Sequence, residues 1–308
     1  MPTQTFSSFE PYADAVQSAN LLSTFVGPKR ANWGLTYLTL NKLVVQWAQG
    51  GGPTVVEGSG EPGGVLILMS SQNAQALSVN GRRFDDLSLM VLIPGDEFYA
   101  ATTDWNRWFS VFVPHEMLAD SSETPAANGS SSSFIRLPPN RAERFRTAVE
   151  RLGSIVQKAP AALDSSAVCN TTARKLAESV REVLRGKLDE TRRPGRTAVA
   201  RRQIIRNAMD FVDDHAGEYL SVEQLANAAG ISERALRTAF HDCFGVGPVR
   251  YLKLRTLRQA RQAFKDADCS TTVAEIATRF GAWGFGRFAH DYRLLFGELP
   301  SETLRHQR

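Results

Sequence analysis

Residues 221–252 read SVEQLANAAGISERALRTAFHDCFGVGPVRYL, and residues 272–304 read TVAEIATRFGAWGFGRFAHDYRLLFGELPSETL. Laid one on the other, LANAAG (225–230) matches IATRFG (276–281) at an offset of 51, and FGVGPVRYL (244–252) matches FGELPSETL (296–304) at an offset of 52. One structural unit has therefore been used twice. Each copy opens on a capping pair, Ser221 with Gln224 and Thr272 with Glu275, whose reciprocal hydrogen bonds satisfy free backbone N–H groups and start a helix. Each then has a glycine, Gly230 or Gly281, where a short turn is needed. Its second helix runs to Gly245 or Gly297, the residue type favoured where a helix ends in the left-handed conformation. Helix, short turn, helix is the helix-turn-helix arrangement, whose second helix fits the major groove of DNA.

Periodicity separates the core of each unit from its working face. Phe288, Tyr292 and Phe296 recur at a spacing of four and align with Leu236, Phe240 and Phe244 of the first copy, so these aromatics are expected to pack inward. A platform for single-stranded bases would expose its aromatics instead. Arg234, Arg237, Thr238 and His241 lie on the other side of the first recognition helix, with Arg287, His290 and Arg293 on the second and Trp283 just before it. Arginine can form a bidentate pair with guanine O6 and N7, and threonine can touch the thymine methyl. Ser232 and the N–H groups of the first helical turn suit phosphate. Between the copies PVRYLKLRTLRQARQAFKDA reads as one long helix. Its apolar stripe is Val249, Leu252, Leu257, Ala260, Ala263 and Phe264, with Arg255, Arg258, Arg261 and Lys265 opposite. Such a rod would hold two readers about 34 Å apart, one turn of B-DNA.

At these residues the chain resembles the AraC/XylS family of bacterial transcription regulators, over residues 199–305. The resemblance implies two helix-turn-helix motifs joined by a linker helix, with an N-terminal cupin-like barrel that senses a small molecule or mediates dimerisation. It implies double-stranded promoter or operator DNA as partner, a small-molecule effector, a homodimer, and RNA polymerase as a further candidate partner. The chain departs from the family pattern at the second turn, where Gly281-Ala282 is followed by Trp283 rather than glycine by phenylalanine.

The rest of the chain is built differently. Residues 31–113 hold short apolar runs, LTYLTL, KLVVQWA, TVV, GVLILM, ALSV, LSLMVLI and WFSVFV, separated by GGGP, GSGEPGG, VNGRR and IPGD. This is the pattern of an antiparallel sandwich or barrel. SSETPAANGSSSS (121–133) reads as a polar loop. From Pro138 to Glu190 the period turns helical, with Phe145, Val149, Leu152 and Val156 on one face and Leu176, Val180, Val183 and Leu184 on another. These two helices are expected to pack on the barrel or on a second subunit. TRRPGRT (191–197) reads as an exposed linker. The expected class is α+β: an antiparallel β-barrel with helical connector over 1–190, and an all-α domain with two helix-turn-helix motifs over 198–308.

Charge follows the same division. Residues 1–191 carry 17 Lys and Arg against 19 Asp and Glu, whereas residues 192–308 carry 19 against 13. A basic C-terminal third beside a slightly acidic remainder points to a polyanion partner for the former. The N-terminus has no basic region leading an apolar run, and no stretch approaches the roughly 20 apolar residues of a membrane helix, so a cytoplasmic protein with no membrane partner is expected. Three cysteines without C-x-x-C spacing suggest neither a disulfide framework nor zinc.

Enzymatic readings are poorly served. GSGEPG (58–63) matches G-x-G-x-x-G, but the strand-like GVLILM follows where a helix is required, so it reads as a hairpin loop. His115 is the only histidine before residue 215, and one imidazole cannot build a facial triad of metal ligands. No catalytic residue, metal or cofactor is expected. The alternative is a small-molecule-binding cupin enzyme with a vestigial DNA module, and a third reading is an architectural DNA-binding protein whose barrel only dimerises. For a ligand pocket the aromatics Trp33, Tyr37, Trp47, Phe98, Tyr99, Trp105 and Trp108 could supply walls, and Arg82 or Arg83 could face a carboxylate.

Overall fold

The computed structural model describes residues 3–305 except 8, 18, 26–31, 119–132, 190–195, 216, 217, 219, 269 and 283. Twelve strands and the helices among them come first: β1 (Gln4–Phe6), α1 (Phe9–Ala15), β2 (Ala19–Phe25), β3 (Trp33–Leu40), β4 (Leu43–Gly50), β5 (Thr54–Gly60), β6 (Gly64–Gln72), β7 (Leu77–Val79), β8 (Arg82–Arg83), β9 (Ser88–Leu92), β10 (Glu97–Thr102), β11 (Asn106–Pro114), α2 (His115–Leu118) and β12 (Ser133–Arg136). They form two antiparallel sheets, one in the order β1-β3-β4-β11-β6-β9-β12 and one in the order β2-β5-β10-β7-β8. Turn chemistry sets the short connections. Asn41 (φ 59°) joins β3 to β4, and Asn80 and Gly81 (φ 50° and 74°) join β7 to β8, because asparagine and glycine tolerate the left-handed region.

The seven-stranded sheet is covered on both faces. One face packs Leu66, Met90 and Leu92 against Val79, Phe98 and Ala100 of the five-stranded sheet. The other packs Val45, Ile67, Phe109 and Val111 against two long helices, α3 (Pro139–Lys158) and α4 (Ser166–Asp189). Phe145, Val149, Leu152 and Val156 of α3 and Leu176, Val180 and Val183 of α4 are all buried there. Of the two partners read from sequence for those apolar faces, the barrel or a second subunit, the structure shows the first: they are occupied by the sheet of their own chain. Trp47 lies in this seam: its Nε1 donates to Val149 O at 3.2 Å, and a Cβ on Gly153 would stand 2.9 Å from its indole.

The remainder is helical: α5 (Arg196–Asp214), α6 (Val222–Ala228), α7 (Glu233–Phe244), α8 (Pro248–Lys265), α9 (Val273–Arg279), α10 (Phe285–Phe296) and α11 (Pro300–Arg305). It has two cores, one from α5 to the start of α8 around Leu225, Leu236 and Phe240, the other around Phe264, Ile276, Phe288 and Tyr292.

Three expectations need correcting. GSGEPG is not a hairpin loop, since β5 and β6 belong to different sheets and the segment carries the chain from one to the other. Within it Gly60 passes so close to the backbone that an added Cβ would stand 2.2 Å from Ile93 O. TRRPGRT is not wholly a linker, because Arg196 and Thr197 already belong to α5; residues 191–195 lie outside the described residues, as does all of SSETPAANGSSSS but Ser133. The sequence reading also passed over β1, α1, β2, β8, β10 and β12; of these β1, β2, β10 and β12 pair with strands remote in the chain.

Candidate nucleic-acid interface and barrel cavity

The first helix-turn-helix starts where the sequence placed it. Gln224 N donates to Ser221 Oγ at 3.1 Å, and Ser221 N donates to Gln224 Oε1 at 2.8 Å. In the turn Gly230 takes φ 67°, and Ile231 N donates to Ala226 O at 3.0 Å. Ser232 then caps α7 by accepting from Ala235 N at 3.3 Å. The second unit reproduces this geometry: Thr272 and Glu275 form the capping box, Gly281 takes φ 72°, and Ala282 N donates to Ala277 O at 2.9 Å. Ala282 thus does the work of Ile231, and the departure at this turn leaves its hydrogen bonding intact. The caps of the recognition helices differ, since α10 begins after Gly284 with no side-chain cap.

Each recognition helix has a buried back and an exposed front. Leu236, Phe240 and Phe244 are buried on α7, and Phe288 and Tyr292 on α10. Phe296 is half-buried beneath the Arg261 guanidinium, 4.4 Å from its ring centre. Ser232, Arg234, Arg237, Thr238, His241, Arg287, His290 and Arg293 are all exposed, and Trp283 lies outside the described residues. Arg237 pairs with Glu233 one turn earlier at 2.7 Å, and Thr238 Oγ1 donates to Arg234 O at 3.0 Å. A groove of about 590 Å³ separates α7 from α10, bordered by Arg237, His241, Arg250, Lys253, Asp291 and Leu294. Lys253 on α8 reaches across to Asp291 on α10 at 2.7 Å. Arg250 and Lys253 were not singled out from sequence. Their position beside His241 follows from the bend between α7 and α8.

The linker helix α8 is oriented differently from the expected stripe. Val249 is 61% exposed, while Tyr251, Leu257, Ala260 and Phe264 are buried. The arginines opposite do not face solvent. Arg255 pairs with Asp213, and Arg261 pairs with Glu10 and Glu298, both at 3.1 Å. Glu57 of β5 accepts from the Tyr251 hydroxyl. Burial raises the Glu57 carboxyl above its ordinary value, outweighing that hydrogen bond and the positive charges of Arg255 and Arg258. Burial likewise lowers the Arg258 guanidinium, against the pull of Glu57.

The barrel therefore touches the helical region directly. Tyr99 of β10 meets the Phe244 ring edge-on at 5.4 Å, Val55 of β5 joins the same core, and Arg206 of α5 pairs with Glu97 at 3.3 Å. The Asn80–Gly81 turn rests on α7, where a Cβ on Gly81 would meet Asp242 and Cys243 at 3.4 and 3.5 Å. Burial and Asp242 push the Cys243 thiol up to about 12, so Cys243 behaves as an apolar residue. The contacts on α7 fall on its back and its end, leaving its exposed front clear.

Between the two sheets lies a cavity of about 100 Å³. Trp33, Phe98 and Trp108 line it, as expected for an aromatic wall. The other candidates do not. Trp47 packs on α3, Tyr99 on the helical region, and Arg82 stands 4.7 Å over the Phe134 ring. Tyr37 and Trp105 are half-buried outside the cavity wall, and Trp105 stacks near Arg107 at 5.6 Å. The sequence reading missed Tyr12, Gln17, Gln46, Thr54, Thr102, Asn106 and Ser110, which supply the polar part of the wall. Alternation along β11 puts the last two on the same face as Trp108, already a candidate, so the period of two was the signal that could have found them. Among the described residues no group of His, Cys, Asp and Glu is placed to hold a metal ion.

Comparison with known proteins bears on the helical region. Residues 225–306 match a family described as a helix-turn-helix domain. The chain is similar to a probable thc operon regulatory protein of Rhodococcus erythropolis, 42% identical over 103 residues, which cover 33% of this chain and 31% of that protein. It is also similar to the XylDLEGF operon transcriptional activator 3 of Pseudomonas putida, 38% identical over 101 residues, 32% of this chain and 30% of that one. The match thus spans about a third of these relatives. Among solved structures, the AraC-like transcriptional activator CuxR aligns over 80% of this chain and 88% of its own at 16% identity and a TM-score of 0.42.

Proposed function

With its C-terminal third a member of the AraC/XylS helix-turn-helix family, we propose that this chain is a cytoplasmic, sequence-specific transcription regulator whose barrel senses a small molecule. The observation that carries the reading is the front of the two recognition helices, where every described candidate is exposed while the aromatics behind them are buried. Arg234, Arg237 and Arg287 suit guanine, Thr238 the thymine methyl, and His241, His290 and Arg293 the flanking base edges or phosphates. Ser232 leaves its hydroxyl hydrogen free for phosphate while its oxygen caps the helix. Arg250 and Lys253, in the groove between the two helices, are placed for the backbone that separates two major-groove segments.

Support for sensing comes from β5 and β10. Their inward residues Val56, Phe98 and Ala100 line the cavity, and their outward residues Val55, Glu57 and Tyr99 hold α7 and α8. A ligand that favours one arrangement of these strands thereby favours one placement of the readers. Selection of binding sites from random duplex DNA by the full chain tests the reading. A recovered motif of two half-sites about one helical turn apart is expected, and recovery of no motif sinks it.

A further inference from the structure

We infer that the barrel cavity takes an uncharged, mainly apolar molecule smaller than benzene that carries a hydrogen-bond acceptor, and that Asn106 Nδ2 is the group that recognises it. This rests on the reading of the barrel as a sensor. Among the described residues no Asp, Glu, Lys, Arg or His lines the cavity, so an ion placed there would lose its hydration without a counter-charge. The volume, about 100 Å³, is below the roughly 150 Å³ that accommodates benzene in an engineered cavity, which restricts the ligand to a small body.

The polar groups of the wall are otherwise committed to one another. Gln46 Nε2 donates to Gln17 O at 2.7 Å and to Ser110 Oγ at 3.2 Å, and its Oε1 accepts from Gln17 N at 2.7 Å. The hydroxyls of Thr54 and Thr102 lie 2.6 Å apart, and Thr102 Oγ1 also donates to Gly52 O. The Tyr12 hydroxyl is engaged with Trp108. Asn106 is 1% exposed, and its Nδ2 has no partner. A buried donor left unpaired is costly, and an acceptor delivered by a ligand removes that cost in the same step that forms the bond. A ligand without an acceptor leaves the cost in place, so the amide discriminates between molecules of equal size and apolar area.

Titration calorimetry of the full chain with butan-2-one, 2-methylbut-1-ene and propionate at neutral pH tests this. All three have fewer non-hydrogen atoms than benzene and are alike in size, and of the two uncharged ones only butan-2-one has an acceptor. Butan-2-one is expected to bind about tenfold tighter than 2-methylbut-1-ene, and propionate about a hundredfold weaker than butan-2-one or worse. In Asn106→Leu 2-methylbut-1-ene should still bind, which reports an intact cavity, while the advantage of butan-2-one falls to within about twofold. Propionate binding as well as butan-2-one, an advantage that persists in Asn106→Leu, or no binding by any of the three overturns the inference. The sensor reading is decided separately, by the operator affinity of the full chain saturated with butan-2-one. Binding with unchanged operator affinity keeps the ligand class and removes the sensor, whereas a preference for propionate that shifts operator affinity does the reverse.

Discussion

Arg234 and Arg237 stand one turn apart on the exposed front of α7, and among the described residues only Arg237 is held by a neighbouring side chain, Glu233. That difference has a consequence for DNA. Replacing either by alanine should cost roughly 1–3 kcal/mol at one base position and relax the preference there, read by competition binding across single-base operator variants. A uniform loss over unrelated sequences would instead assign both to phosphate. Arg237 must also give up an exposed ion pair of small worth, at most about 1 kcal/mol, so Glu233→Gln should alter operator affinity less than either arginine change. Ser232 acts on the helix as well as on DNA: Ser232→Ala removes the acceptor for Ala235 N and should lower stability by about 1 kcal/mol, measured by urea denaturation. The exposure of these residues was readable because a helix repeats every 3.6 residues, and burial of every fourth aromatic leaves the intervening side chains outside. Asn106 shares the face of Trp108 by the period of two along β11, but that its buried amide finds no partner there depends on the surrounding elements, which no local period states.

At the scale of elements, β5 and α3 each carry a test. Glu57 on β5 is buried against Tyr251, and burial raises its carboxyl above the ordinary 4.5. A raised carboxyl is protonated more readily in the folded chain than in the unfolded one. Its contribution is therefore fully present below the unfolded value and is lost as pH rises through the folded one. Stability of the wild type should fall across that interval, and Glu57→Gln, which keeps an acceptor for Tyr251 without ionising, should flatten the fall. Denaturation curves for both proteins at several pH values on either side of 4.5 check this; identical pH profiles would remove Glu57 as the cause. On α3, Gly153 lets the helix lie against Trp47. Gly153→Val should cost about 1–3 kcal/mol through overpacking, seen as a lower urea midpoint with an unchanged slope. On the linker helix the arginine-rich side, read only as lying opposite the apolar stripe, is paired with Glu10 of α1 and Asp213 of α5.

Across the whole molecule, charge is divided into cations that face outward and cations that hold the two regions together. The salt dependence of operator binding counts only the former. Lys253→Gln should therefore reduce the slope of log affinity against log salt by about 1. Arg261→Gln should leave that slope unchanged and instead lower the thermal stability of the full chain, because Arg261 pairs with Glu10 of α1. The sequence by itself determined the repeated helix-turn-helix, its caps and turns, its inward aromatics and the β-rich character of the first hundred residues. Those features are written in contacts a few residues apart, where helical and strand periods apply directly. Only the tertiary structure decided which aromatics face the cavity, that α3 and α4 cover their own sheet, and that β5 and β10 stand between cavity and recognition helix. Those outcomes depend on strand partners and salt bridges up to 251 positions apart in the chain, and no local period encodes a pairing between residues so distant.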